Sequence, residues 1–164
     1  MNPKLILCLA LVLSGSLLGC SKDEGTSKVL TDSEISSRMA GVIMLSGVLG
    51  SLPKVDPEFS RMENSLVSKI HGVRGFTKSD GFHGDGTDWY EVDLSPELAA
   101  ELRSALSRSP DFKKSKPMYY LNDDESPSWW PTRWPADAQC YEKNFMYLIL
   151  PDSGTRAWLM QVRT

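Results

Sequence analysis

The run Phe145-Met146-Tyr147-Leu148-Ile149-Leu150 has no polar–apolar alternation. A strand with that pattern must be covered on both faces, so the fold has to supply a layer above it and another below. Pro151-Asp152-Ser153-Gly154 then turns the chain, with Gly154 placed for positive φ. Arg156 to Val162 returns with Trp158, Met160 and Val162 on one side. The pair is expected to form a hairpin.

Upstream, Tyr90, Val92 and Leu94 alternate with Trp89, Glu91 and Asp93, the period-two pattern of a strand with one apolar face. A further strand is expected from about Lys69 to Thr77, weakened by Gly72 and Gly75. Ser95-Pro96-Glu97 opens the clearest helix: Ser caps, Pro takes the first helical position, and the acid meets the positive end of the dipole. Leu98, Leu102, Ala105 and Leu106 form its buried stripe, Arg103 and Arg108 lie toward its negative end, and Pro110 stops it. Thr31 and Glu34 have capping-box spacing ahead of Ile35, Met39, Val42, Ile43 and Leu45, which predicts a buried helix. Asp56-Pro57-Glu58 marks another helix start, followed by Phe59, Met62 and Leu66. Met118 to Leu121 reads as a short strand and residues 126–140 as a Pro- and Trp-rich loop. The sum is an α+β fold: a small antiparallel sheet of about four strands with helices packed on one face.

The first residues carry an address. Lys4 supplies a positive start, Leu5 to Leu13 is uncharged and apolar, Ser14-Gly15-Ser16 breaks the run, and Leu17-Leu18-Gly19-Cys20 follows. That order is a signal peptide, too short for a permanent span of about 20 apolar residues. Leu-Leu-Gly-Cys resembles the lipobox of bacterial lipoproteins. The resemblance implies cleavage before Cys20, a diacylglycerol thioether on its sulfur, and a further acyl chain such as palmitate on the new amine. Ser21 stands where an Asp would favour inner-membrane retention, so the implied location is the cell envelope, at the outer membrane if the organism has two. The expected organisation is a signal peptide over 1–19, a lipidated tether over 20–30 and one globular domain over 31–164.

Net charge is −3 over the whole chain, and no basic cluster exists, which argues against nucleic acid or anionic lipid headgroups as partners. Of three cysteines, Cys8 leaves with the leader and Cys20 is lipidated. Cys140 is then alone, so no disulfide is expected within the domain. It reads as a small buried apolar residue.

Chemistry, if any, is expected in Ser79-Asp80-Gly81-Phe82-His83-Gly84-Asp85-Gly86-Thr87-Asp88. Glycines let the backbone fold tightly there while oxygens and an imidazole gather. The preferred reading is structural, with Asp side chains bonded to the backbone of a tight turn. Asp80, Asp85 and Asp88 are also candidate ligands for a hard cation such as Ca²⁺, without the spacing of an EF-hand. His83 with Asp85 or Asp80 is a candidate acid–base pair, although no activated nucleophile stands beside it. His71 reads as strand decoration. The hexapeptide Gly81-Phe82-His83-Gly84-Asp85-Gly86 resembles a motif of small, uncharacterised bacterial proteins. Over residues 65–164 it implies strands around that loop, then a helix, aromatic residues and a C-terminal hairpin, and it implies no mechanism or cofactor.

The other candidate is Trp129-Trp130-Pro131-Thr132-Arg133-Trp134-Pro135. Trp129, Trp130 and Trp134, with Asp123, Asp124, Glu125 and Asp137 nearby, could hold cell-wall glycan. The preferred alternative has them fold back as a lid over the sheet, each burying about 150–250 Å². The expected function is therefore a membrane-anchored, non-catalytic binding module for an envelope protein or glycan. A hydrolase or metal-dependent enzyme on the His83 loop is the alternative.

Overall fold

The computed structural model describes residues 26–45, 64–79, 85–117 and 126–164. The leader, Cys20, the helix start at Asp56, the strand over 118–121, Asp80, His83 and the acids Asp123, Asp124 and Glu125 lie outside the described residues.

The described fold contains β1 (Ser27–Val29), α1 (Asp32–Leu45), β2 (Ile70–Ser79), β3 (Gly86–Leu94), α2 (Pro96–Arg108), β4 (Lys113–Ser115), β5 (Ala138–Lys143), β6 (Met146–Pro151) and β7 (Arg156–Arg163), with residues 64–67 helical ahead of β2. The strands form one antiparallel sheet ordered β1-β2-β3-β7-β6-β5-β4. The α+β class stands, while the sheet is larger than the expected four strands. The additions are β1, β4 and β5. β1 and β4 are three residues each, and neither carries an apolar pattern of its own. Short polar edge strands exist through the partner that pairs with them, and periodicity within them is silent.

β1 also shortens the expected tether. Residues 27–29 pair with Phe76–Lys78 in β2, and the buried Leu30 donates its N–H to the Gly75 carbonyl at 2.9 Å.

α1 and α2 lie on one face. Ile35, Met39, Ala40 and Ile43 of α1 and Leu98, Ala99, Leu102 and Leu106 of α2 share a core with Tyr90, Val92, Leu148, Leu150, Ala157 and Leu159. α2 begins as read: Ser95 Oγ accepts the Leu98 N–H at 3.2 Å, with Pro96 at the first position. Ala105 is only half-buried, and Ala99 takes its place in the stripe. Arg103 reaches past the helix end to the β6–β7 turn, donating to the Gly154 carbonyl at 2.9 Å and to that of Pro151 at 3.2 Å. Gly154 has the positive φ expected, 85°.

α1 has its capping box as well: the Thr31 N–H donates to Glu34 Oε2 at 2.9 Å, and Thr31 Oγ1 stands 3.4 Å from the Glu34 N–H. Its first two turns then grip β2. The Gly72 N–H donates to Asp32 Oδ1 and, at 3.1 Å, to Ser36 Oγ. At Gly72 the partner sought by an outward backbone donor is thus a helix side chain. Glycine is needed for the approach. A Cβ on Gly72 would stand 2.7 Å from both the Asp32 carbonyl and Ile35 Cβ, and one on Gly75 would stand 2.6 Å from Ile35 Cγ1. What reads in the sequence as a weakness of β2 is the seat of α1. A register shift between Gly72 and Arg74 breaks the alternation of β2 there.

Gly72→Ala is expected to destabilise the domain by about 1–3 kcal/mol through overpacking. Gly41, with open space around its Cβ position inside α1, is expected to respond oppositely: Gly41→Ala stabilises by about 0.5–1 kcal/mol. Urea unfolding of the acyl-free chain measures both.

Candidate functional site

The base of the His83 loop is defined by Ser79 and Asp85–Asp88. Ser79 Oγ donates to the Asp85 carbonyl at 3.3 Å, and Gly86 opens β3 at a φ of 153°. A Cβ on Gly86 would meet the Lys78 carbonyl at 2.1 Å, so this closure tolerates no other residue without moving. Asp88 points to the helix face and is buried. Its Oδ1 accepts from Thr77 Oγ1, and its Oδ2 lies 3.3 Å from Arg163 Nε. Arg163 Nη2 also donates to the Thr77 hydroxyl and the Lys78 carbonyl, at 3.3 and 3.4 Å. The Asp88 carboxylate thereby locks β3 to β2 and β7. Beside it, Arg38 Nη1 stands 3.5 Å from the Tyr90 hydroxyl, and burial pushes the phenol up to about 12.

Among the described residues no group of three or more His, Cys, Asp or Glu converges on a point where a metal ion could sit. Of the proposed loop ligands, Asp85 and Asp88 are described, and Asp88 is engaged as above.

The Trp loop lies on the opposite face of the sheet from Asp88. Trp130 is buried against Trp89, Ala138, Cys140, Ile149, Trp158 and Met160, with Trp129 and Trp134 packed around it. The rings meet edge to face in sequence: Trp129–Trp130 at 6.0 Å, Trp130–Trp134 at 5.4 Å, and Trp134–Trp158 at 5.7 Å between centroids. Quadrupole attraction favours that arrangement. The aromatic surfaces that could stack on a sugar are used largely on one another, as the lid reading expects. The indole N–H groups of Trp89, Trp134 and Trp158 are buried and find no acceptor among the described residues. Asp137, at the far end of the loop, accepts from the Ser153 N–H at 2.8 Å and the Ser153 hydroxyl at 2.5 Å. Those bonds hold its carboxyl below the usual range.

Alongside the Trp loop runs an ion network that the sequence reading missed. Glu91 is buried on this face, with Arg156 Nη1 at 2.5 Å from its Oε1 and Arg74 Nε at 3.1 Å from its Oε2. Arg156 also grips Asp93 in fork geometry at 2.5 and 3.0 Å, and that bond is the main cause of its raised pKa. The Arg74 guanidinium stands 5.9 Å from the Trp129 ring centroid. Cross-strand register creates the network: Arg74 pairs with Glu91, and Asp93 with Arg156. The like-sided charges were readable from alternation, but their pairing required the strand order.

The second missed feature is His71. Its Nδ1 stands 2.9 Å from Asp32 Oδ2 at the start of α1. It borders an open cleft of about 380 Å³ with Lys69, Asp93 and Ser95. Both partners are exposed, the side chains 67 % and 53 % accessible, so the pair contributes little to stability.

Cys140 is buried, as expected of an apolar-like residue. Burial, with Glu142 nearby, pushes its thiol up to about 11. No protein-family model, curated protein or solved structure matches the chain.

Two outcomes follow from these buried groups. Trp130→Ala is expected to cost about 3–5 kcal/mol in urea unfolding, the range for a buried aromatic. The folded state must keep the Cys140 thiol and Tyr90 phenol protonated, whereas the unfolded chain releases those protons from ordinary values of 9.0 and 10.0. Stability is therefore present below about pH 9 and falls as pH rises toward about 12. Urea midpoints across that window, with native Cys140 unreactive to a thiol reagent at neutral pH, measure this.

Proposed function

We propose that the protein is an envelope lipoprotein, held by acyl chains on Cys20, whose domain is a non-catalytic binding or interaction module. The observation that carries the anchor is the Leu17-Leu18-Gly19-Cys20 sequence placed directly after an uncharged apolar run. The position of β1 supports it, because the first strand residue, Ser27, stands seven positions after Cys20, a reach of at most about 25 Å. No described helix is long and apolar enough to cross a membrane. Two or more acyl chains suffice for stable anchoring, at about 0.8 kcal/mol per buried methylene.

The binding role rests on how the described ionisable groups are used. Asp88, Glu91, Asp93 and Asp137 each serve a structural partner, and the Cys140 thiol is buried and protonated. A hydrolase on Asp80, His83, Asp85 and Asp88 would have to free Asp88 from Thr77 and Arg163, breaking the contacts that tie β3 to β2 and β7. The partner class suited to this address is an envelope protein or cell-wall glycan.

Membrane-extracted protein is expected to carry acyl mass on an N-terminal Cys20, with Cys20→Ser unacylated and shed into the soluble fraction. An unmodified wild-type N-terminus by mass spectrometry refutes the anchor. Turnover of an ester or glycan panel by the acyl-free chain, abolished in His83→Ala, refutes the non-catalytic role.

A further inference from the structure

Two large apolar side chains are exposed among the described residues, Val29 at 76 % and Phe145 at 58 %. Phe145 marks one end of the sheet, whereas Val29 lies on the edge strand β1. Asn144 and Phe145 form the two-residue tip of the β5–β6 hairpin, with φ of 47° and 61°. Such loops require positive φ at both positions; Asn tolerates it, and glycine is the usual second residue. An aromatic there is sterically disfavoured, and this ring stays more than half exposed. Strain retained at an exposed loop tip is a sign of a contact outside the fold.

Strand register locates that tip relative to the point where the chain enters. Ser27 pairs with Lys78, Lys78 with Thr87, and Thr87 with Val162. The Val162 N–H in turn donates to the Phe145 carbonyl at 3.0 Å. Ser27 and Phe145 thus end one transverse row, separated by about 19 Å at the usual strand spacing. Val29 pairs with Phe76 and so lies level with Trp89, nearer the middle of the sheet. The chain from Cys20 to Ser27 can span at most about 25 Å. The strained aromatic and the point where the chain leads back toward Cys20 therefore share an end of the sheet.

Resting on the acylation of Cys20 proposed above, we infer that this end of the sheet docks on the bilayer that holds the anchor, with Phe145 inserted at the headgroup–acyl boundary. The chemistry matches an interface. Exposed apolar rings settle at the headgroup level, and each buried apolar group adds to lipid binding. The opposite end carries the polar Asp152–Ser153 turn and the cleft beside Lys69 and His71, which this docking turns toward the aqueous side. A lipid without the tip would leave the domain free to tumble; a lipid with the tip gives it two points of contact and one orientation.

The test uses full-length acylated protein in phosphatidylcholine–phosphatidylglycerol vesicles, labelled with a polarity-sensitive fluorophore at Phe145→Cys or at Asp152→Cys, the buried Cys140 staying unlabelled. At position 145 the emission is expected to shift blue and to be quenched about twofold by nitroxide lipids, with no quenching at 152. Protein that floats with the vesicles yet is unquenched at 145 overturns the docking and leaves the anchor standing. A blue shift at 145 without lipid quenching also overturns it, because a second copy or another protein then covers the tip. Protein that neither floats nor carries acyl mass on Cys20 removes the anchor, and the docking falls with it.

Discussion

The constraint on which this fold depends is that β3, β7 and β6, at the middle of the sheet, must be dry on both faces. Each carries large apolar side chains on successive residues: Trp89 and Tyr90, Trp158 and Leu159, Ile149 and Leu150. Covering one face of such strands leaves the large apolar area of the other in water. The helices supply one cover and the tryptophan loop the other, from chemically different material. α1 and α2 present aliphatic stripes that repeat at helical spacing. The loop has no period, so its cover comes from a few large rings held in place by prolines and by Asp137 at its end.

That difference explains which parts were legible beforehand. Periodicity revealed α1 and α2, with their caps at Thr31–Glu34 and Ser95, because capping residues and apolar stripes are local properties. β3, β6 and β7 were legible for the same reason. β5 was lost inside the Trp-rich loop, since Ala138, Cys140 and Tyr141 are too mixed in size and polarity to announce alternation. β1 and β4 depend wholly on β2 and β5. Gly72 and Gly75 were read as weakness because their use, a helix pressed against the strand, involves residues some forty positions away. Of the candidate site, the lid role of the tryptophans was visible in outline. The Glu91–Arg156–Asp93–Arg74 network and the His71–Asp32 pair were not, as both are products of register and docking.

The electrostatics follow one pattern on the two faces. On each, a buried carboxylate on β3, Asp88 toward the helices and Glu91 toward the aromatics, meets an arginine from β7. Removing one partner would strand a charge out of water, whereas the intact pairs tie β3 to β7 laterally and discourage a slipped register. A one-residue slip would send each carboxylate to the face that holds the other's apolar neighbours. These acids specify the pairing of the central strands while the rings and helices supply the driving force.

The aromatic cover has an optical consequence. All five tryptophans of the chain belong to one cluster, with successive centroids of the Trp129–Trp130–Trp134–Trp158 chain 5.4–6.0 Å apart. At such separations excitation absorbed by one ring passes readily to the next, so the five indoles behave as a shared chromophore and not as five reporters. Their emission colour reads the state of a single face of the sheet, and the helix face stays spectroscopically dark. A ligand settling on that aromatic surface would change the whole signal at once; one settling elsewhere would leave it untouched.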